Sequence, residues 1–372
     1  PGGLVAARKV GFSGPDLPDS PYYEKNPDDR ADHRRAHLMF DEEGSFQHRR
    51  EAIIEQKPYP VKGWFAYKIN PLQSVANRTK TLQMIDNLDF ILTVDIAMSD
   101  TAWMSDLVLP APSSLERQDP ASGLQGSSAC ACVVTRDPVV PALFESKPVF
   151  WIFKELAKRL DLAEYFDFTI EEYRKQQFKN LPDGERALRE DGVYYNPSKL
   201  YGVYEGQVYK TLSKKIELYN KRYADMGVDP MPIYRAPRRK PSGKFRMVVG
   251  RSAYFTHCTS QNNALLHQFM PENTLWINPK AAKRLGIRDG YKVEITSKAG
   301  KGILKANLKE GIREDTVYML SGFGVLSQGL TNIYGKGACM AEILEDYADE
   351  ISGNMAMHET FVKVTKFISH RL

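Results

Sequence analysis

Gly63-Trp64-Phe65-Ala66-Tyr67-Lys68-Ile69-Asn70-Pro71 and, further on, Leu88-Asp89-Phe90-Ile91-Leu92-Thr93-Val94-Asp95 decide the fold class. Each is a short apolar run that ends on a polar residue, Asn70 in the first and Asp95 in the second. Near-continuous apolar runs of this length suit strands covered on both faces, as in a parallel sheet. Between them, Leu72 to Asp86 spaces Val75, Leu82 and Ile85 as one face of a helix. Asp106-Leu107-Val108-Leu109 supplies a third short strand, stopped by Pro110. Strand, helix, strand, loop, strand over about 50 residues is a βαβ unit of a doubly wound, Rossmann-like sheet. Ligands of such sheets lie beyond the carboxyl ends of the strands, where Asn70 and Asp95 stand. A carboxylate there accepts paired N–H bonds from a guanine edge or a ribose, and an amide can take either part. A second reading stands beside this one: Asn70 forms an Asx turn before Pro71, and Asp95 caps the turn that follows.

Outward from this unit the character changes. Residues 11–60 are polar and rich in Pro, Asp and Arg, an irregular excursion with a short helix expected near Phe46 to Gln56. Pro148 to Leu162 has helical apolar spacing at Ile152, Leu156 and Leu160, with Ser146 placed to cap it. Thr169 to Phe178 and Ser213 to Tyr223 are further expected helices. Residues 227–244, with Pro230, Pro232, Pro237, Pro241 and many charges, read as a linker. Beyond it come expected strands at Phe245 to Val249, Thr274 to Ile277, Tyr291 to Ser297, Gly302 to Leu308, Thr316 to Leu320 and Phe361 to Phe367, with a helix at Pro279 to Leu285. Turns at Asp289-Gly290, Ala299-Gly300 and Glu310-Gly311 separate them, the pattern of a β-barrel domain.

Composition narrows the function classes. The 372 residues are 42% hydrophobic and 26% charged, ordinary for a globular protein. No run of about 18 apolar residues is present, so no direct membrane span is expected. The net charge of +5 arises from 51 basic and 46 acidic residues, a mixed surface that argues against nucleic acid as a partner. The densest basic stretch, Arg235 to Lys244, lies in the proline-rich linker. Cysteines stand at 130, 132, 258 and 339 without a C-x-x-C pair, so no metal site is read from them. Cys130-x-Cys132 reads as two small apolar residues in a strand, with a metal or redox role as the alternative.

The wording of the matched regions goes further. Asn70-Pro71-Leu72, Thr93-Val94-Asp95, Ser99-Asp100-Thr101-Ala102, Ser105-Asp106-Leu107-Val108-Leu109-Pro110 and Leu115-Glu116-Arg117 follow in order. The series resembles that of molybdopterin oxidoreductases of the dimethyl-sulfoxide-reductase type, with Ser105 where the pattern usually has Ala. The barrel region adds Gly250-Arg251-Ser252 with His257 and Ser260, and Ile277-Asn278-Pro279 with Ala281-Ala282 and Leu285-Gly286-Ile287. Ser352-Gly353-Asn354 and Phe361-Val362-Lys363-Val364 are similar to the family's closing loop and strand. Lys62-Gly63-Trp64-Phe65-Ala66-Tyr67-Lys68, Asp100-Thr101-Ala102-Trp103 and Ser321-Gly322-Phe323-Gly324 resemble the polysulfide and thiosulfate reductase branch.

The resemblance implies a fold and a set of roles. A partial doubly wound sheet would be followed by a double-psi-type β-barrel. The implied domains are 1–130, the second half of a molybdopterin-dinucleotide-binding α/β domain; 131–226, helical and connecting; the linker 227–244; and the dinucleotide-binding barrel 245–372. The implied cofactor is molybdenum bis(molybdopterin guanine dinucleotide). Asn70, Pro71 and Asp95 would face the guanine, and Ser99 or Thr101 a ribose or phosphate. Arg251 and His257 would donate to pyrophosphate and pterin oxygens, with Ser260, Asn262 and Asn354 as neutral partners. For Arg251 the other reading is a surface ion pair, for His257 a satisfied interfacial histidine, and for His358 packing of the final loop instead of a pterin contact.

The family's cluster-binding cysteines and its molybdenum ligand lie upstream of the Pro-Gly-Gly turn that Pro1-Gly2-Gly3 resembles. A chain opening this way is expected to be a fragment or a processed product, with a 4Fe-4S cluster held by residues outside it. By itself it is expected neither to hold molybdenum nor to turn over substrate, and no catalytic residue is read in it. Implied partners are an iron–sulfur electron-transfer subunit, a membrane quinol subunit and a small sulfur compound as substrate, at the periplasmic face. Tetrathionate or arsenate reductase, formate dehydrogenase and a non-catalytic pterin-dinucleotide-binding module are the alternatives.

Overall fold

A computed structural model describes residues 31–32, 45–127, 130–181, 183–196, 208–349 and 351–368. They fall into two compact units, one spanning 110–233 and the other the described residues before 110 and after 233. Most of the 11–60 excursion lies outside the described residues, but its expected helix is present as α1 (Phe46–Glu55).

The larger unit holds the sheet and the barrel. Strands β1 (Gly63–Tyr67), β2 (Phe90–Asp95) and β3 (Leu107–Pro110) lie in that order, with β1 and β2 parallel from Gly63↔Phe90 to Tyr67↔Val94. The stretch expected as one helix, Leu72 to Asp86, is two: α2 (Pro71–Ser74) and α3 (Arg78–Asp86). Val75 is extended and Asn77 takes φ +62°, from where its side chain accepts the Lys80 amide and starts α3 afresh. A one-turn helix, α4 (Asp100–Trp103), follows β2. Leu72, Met84, Ile85 and Ile91 form the core here with Ile53 of α1.

The smaller unit contains a sheet of which the sequence reading had only the strand at Cys130 to Cys132. Strands β4 (Asp119–Ser127), β5 (Cys130–Arg136) and β6 (Val193–Asn196) are antiparallel neighbours, and β5 carries Cys132 opposite Tyr195. Around them lie α5 (Val149–Arg159), a short 3-10 turn at Ala163–Phe166, α6 (Ile170–Phe178) and α7 (Gly184–Asp191). Pro148, not Ser146, occupies the cap position of α5; the Ser146 hydroxyl donates to the Leu143 carbonyl instead. Thr169 does cap α6, in a capping box with Glu172. Thr169→Ala is expected to cost about 1 kcal/mol, read as a lowered melting temperature. The helix expected at Ser213 to Tyr223 is absent. Ser213 bonds locally to Glu217 and Lys215, and Leu212, Ile216 and Leu218 are exposed, so no apolar face is buried. Only α8 (Lys221–Asp225), capped by Asn220, is helical there.

Past residue 233 the chain returns to the larger unit and closes the barrel. Its strands are β7 (Phe245–Gly250), β8 (Thr274–Ile277), β9 (Lys292–Thr296), β10 (Lys301–Leu308), β11 (Thr316–Leu320) and β12 (Phe361–Lys366). The closed order is β10-β8-β11-β7-β12-β9, with β10–β8 and β11–β7 parallel. Short helices α9 (Ala264–His267), α10 (Pro279–Arg284) and α11 (Met340–Ile343) lie between strands. The alternation read in the sequence is the alternation of burial: Met247, Leu275, Ile277, Val293, Ile295, Val317 and Val362 are all fully buried inside the barrel. The expected α/β class, a parallel sheet together with a closed β-barrel, is what the structure has.

Candidate functional site

The carboxyl ends of β1 and β2 meet in one polar cluster. Asn70, beyond β1, turns its Oδ1 to α4, where it accepts from the Thr101 hydroxyl at 3.0 Å and the Thr101 amide at 3.3 Å. Its side chain also faces the Cys258 thiol, whose charged form it favours. Pro71 is buried as the first residue of α2. Asp95, the last residue of β2, accepts from the Ile96 amide and from the Ser99 hydroxyl, each at 2.7 Å. Ser99 in turn caps α4 by accepting from the Ala102 amide. Asn70, Asp95, Ser99 and Thr101 therefore stand together, as read from the sequence.

Electrostatics mark Asp95 as unusual. Burial pushes its carboxyl above the ordinary range, against the bonds from Ser99, Ile96 and Ala97 that favour the charged form. A carboxylate accepting so few bonds keeps lone pairs for a further donor. Ile69, Ile96 and Met98, close by in the chain at the two strand ends, are exposed apolar side chains.

The barrel loop from Arg251 to Asn262 reaches this cluster through Cys258. Burial pushes the Cys258 thiol up, and the carboxylates of Asp95 and Asp100 add to the shift. Within the loop, Ser260 accepts from the Thr256 amide, and Asn262 brackets Asn332 with both its side-chain and its main-chain oxygen. Their polar groups shape the loop. His257 takes φ +49°, and its carbonyl accepts from Gln261. The guanidinium of Arg251 and the imidazole of His257 are exposed and carry no hydrogen bond or ion pair among the described residues.

Asn354 and His358 stand apart. Their turn is fixed by main-chain atoms: Asn354 O accepts from Asp349, and His358 O from Arg246. Among the described residues no bond joins either one to the Asn70–Asp95 cluster. Their turn does approach the start of α3, where the Ala76 amide donates to the Met355 sulfur at 3.1 Å.

The sequence reading missed what lies beneath the cluster. Asp100 and Arg78 are buried and paired at 3.3 Å. Cys258 also went unassigned, because a lone cysteine at an irregular position has no pattern to declare it. Among the described residues no group of three His, Cys, Asp or Glu could hold a metal ion.

Two protein-family models match the chain: molybdopterin oxidoreductase over residues 30–159 and molydopterin dinucleotide binding domain over residues 245–361. They cover the strand-end cluster and the barrel loop that meets it. The chain belongs to the molybdopterin oxidoreductases. Its relatives place it with the dimethyl-sulfoxide-reductase type. It is 26% identical over 340 residues to the thiosulfate reductase molybdopterin-containing subunit PhsA of Salmonella typhimurium, covering 82% of this chain and 43% of the relative. To dimethyl sulfoxide reductase DmsA of Escherichia coli it is 26% identical, covering 82% of this chain and 42% of the relative. The solved structure of acetylene hydratase from Pelobacter acetylenicus shares the fold, with a TM-score of 0.67 at 24% identity, over 86% of this chain and 46% of that one. This molybdopterin oxidoreductase chain thus spans less than half the length of these relatives.

The family's dinucleotide-binding domains indicate molybdenum bis(molybdopterin guanine dinucleotide) as the cofactor. The residues present fit such a group. A half-buried carboxylate with spare acceptor capacity ends β2, and the barrel loop carries a guanidinium and an imidazole that have no hydrogen bond or ion pair among the described residues. The first suits a purine edge and the second suits phosphate oxygens.

Proposed function

We propose that this chain is the carboxy-terminal, cofactor-holding part of a molybdenum enzyme that reduces the sulfur–sulfur bond of polysulfide or thiosulfate. The reading is carried by the thiosulfate reductase subunit, whose likeness runs through 82% of the chain. When bound, the cofactor supplies two-electron chemistry at its metal. This chain's residues do the holding. Asp95 accepts the N–H groups of a guanine edge, with Asn70 and Pro71 forming the wall beside it. Ser99 and Thr101 lie within reach of a ribose or phosphate. Arg251 and His257 donate to pyrophosphate and pterin oxygens, Ser260 and Asn262 keep their loop in shape, and Asn354 and His358 close from the final turn.

By the same likeness, electrons would arrive from an iron–sulfur subunit fed by a membrane quinol subunit, at the periplasmic face. Among the described residues no helix is long and apolar enough to cross a membrane, which suits attachment through partners. The full-length protein, given reduced viologen, is expected to release sulfide from thiosulfate or polysulfide. Turnover of dimethyl sulfoxide, nitrate or acetylene with neither sulfur compound reduced would overturn the proposal.

A further inference from the structure

Asp100 is fully buried, and all four bonds to its carboxylate come from inside the protein. Its Oδ1 accepts from the main-chain amides of Leu326 and Ser327, each at 2.9 Å. Its Oδ2 accepts from Gln73 Nε2 at 2.8 Å and from Arg78 Nη2 at 3.3 Å. Arg78 directs further donors to the Leu72 carbonyl at 2.8 Å and the Gly324 carbonyl at 3.1 Å, and its Nη1 lies 4.0 Å from the half-exposed Glu342 carboxylate. One ion pair therefore joins three things: the α2 turn after β1, the α4 turn after β2, and the barrel's 324–327 turn. Ser327 adds a bond to the Met98 carbonyl at 2.6 Å.

The neighbours of Asp100 explain what this arrangement is for. Ser99, just before it, donates to Asp95, and Thr101, just after it, donates to Asn70. Three consecutive residues thus hold Asp95, the barrel turn and Asn70. Moving Asp100 moves both strand-end groups. Burying two charges is costly, and apolar side chains of similar volume often serve stability equally well. What an apolar pair cannot supply is direction. Asp100 and Arg78 fix the angle and register of a turn whose outer residues point at solvent.

We propose that Asp100 and Arg78 are positioning residues: their buried ion pair sets the turn from Asp95 to Thr101 against the barrel's 324–327 turn, and so aims Asp95 and Asn70 at the guanine end of the dinucleotide. The aim at guanine rests on the cofactor-holding reading above; the setting of the turn does not.

The test uses the full-length protein with three variants. Asp100→Asn keeps an oxygen for Leu326 and Ser327 but turns an amide donor against Arg78 and Gln73. Ser327→Ala removes only the bond to Met98. Met84→Ala, on the apolar face of α3 itself and in the core with Leu72, Ile85 and Ile91, serves as a control that loses stability while leaving every hydrogen bond of the ion pair in place. Two quantities are measured: guanosine monophosphate released by acid per polypeptide, and amide hydrogen exchange across residues 96–102 and 326–327. Asp100→Asn is expected to lower nucleotide content about tenfold and Ser327→Ala about two- to threefold. Both should speed exchange in the two segments together, while Met84→Ala keeps its nucleotide despite a lower melting temperature. Wild-type nucleotide content in Asp100→Asn, or a loss in Met84→Ala that tracks its melting temperature, overturns the positioning role. Absence of the nucleotide from the wild-type protein sinks the cofactor reading instead. In that case exchange still decides: joint acceleration of the two turns supports the positioning, and unchanged rates refute it.

Discussion

Gly324→Ala is expected to destabilise the protein by about 3 kcal/mol or more, one of the largest effects of any single methyl group in this chain. Two costs combine. Gly324 sits at φ +66°, a conformation that costs a residue with a Cβ roughly 1–2 kcal/mol. The added carbon would also lie 2.5 Å from the Ala338 carbonyl carbon and closer still to the Cys339 amide. Both neighbours are main chain and cannot swing aside, so the clash must be relieved by moving the turn, at about 1–3 kcal/mol. The turn is not free to move, because the Gly324 carbonyl accepts both Nη groups of Arg78 at 3.1 Å. Chemical denaturation followed by circular dichroism measures the loss. Gly335→Ala is the useful contrast: its φ of +74° carries the same conformational cost, but nothing lies within 4 Å of its added carbon. Equal losses in the two variants would mean that steric closure at 324 contributes nothing.

What the sequence made legible follows from the physics of each element. Strands β1 and β2 were legible because each is an apolar run closed by a polar residue, and that closing residue is where a ligand of a parallel sheet lies. The barrel was legible through strict alternation, as in β9, where Val293 and Ile295 point inward between polar neighbours. The break between α2 and α3 was not legible. It depends on Asn77 adopting a left-handed conformation, which Asn takes more often than most residues but still in a minority of its positions. Strand β4 escaped because Ala121 to Ser127 is small and Gly/Ser-rich, without the β-branched or aromatic alternation that announces a strand.

The least legible feature of the site was its support. Arg78 at a helix start went unmentioned and Asp100 at another was noted only as part of a motif, since their partners are main-chain groups and side chains far apart in sequence. The Asp100 bonds to Leu326 and Ser327 cross more than 220 positions. No local pattern encodes such a contact; only the closing of barrel onto sheet within this unit brings it about. The reading of Asp95 as either cap or ligand acceptor also could not be resolved by pattern. In the structure it accepts from Ile96 and Ser99, as a cap would, and still carries a carboxyl that burial raises.

These two readings of Asp95 part company in Asp95→Asn. As a guanine acceptor, the carboxylate makes charge-assisted bonds that an amide cannot replace. Guanosine monophosphate retained by the full-length protein should then fall about tenfold to a hundredfold, on the order of 1.5–3 kcal/mol per charged bond. Stability should move the other way at neutral pH. Burial raises the Asp95 carboxyl, so the folded state holds this proton more tightly than the unfolded state does. As pH rises from the usual carboxylate range through the raised value, the folded protein must give up a proton that the unfolded chain has already lost. The wild type therefore loses stability across that window, whereas the asparagine variant, having no proton to lose there, does not. Melting temperatures of the two proteins should converge near about pH 3, below the usual aspartate range, and separate in favour of the variant toward neutrality. If the variant is instead the less stable protein at neutral pH and keeps its nucleotide, Asp95 is a cap. A variant that is more stable and emptied of nucleotide identifies Asp95 as a carboxylate held against the preference of its own fold for the sake of binding.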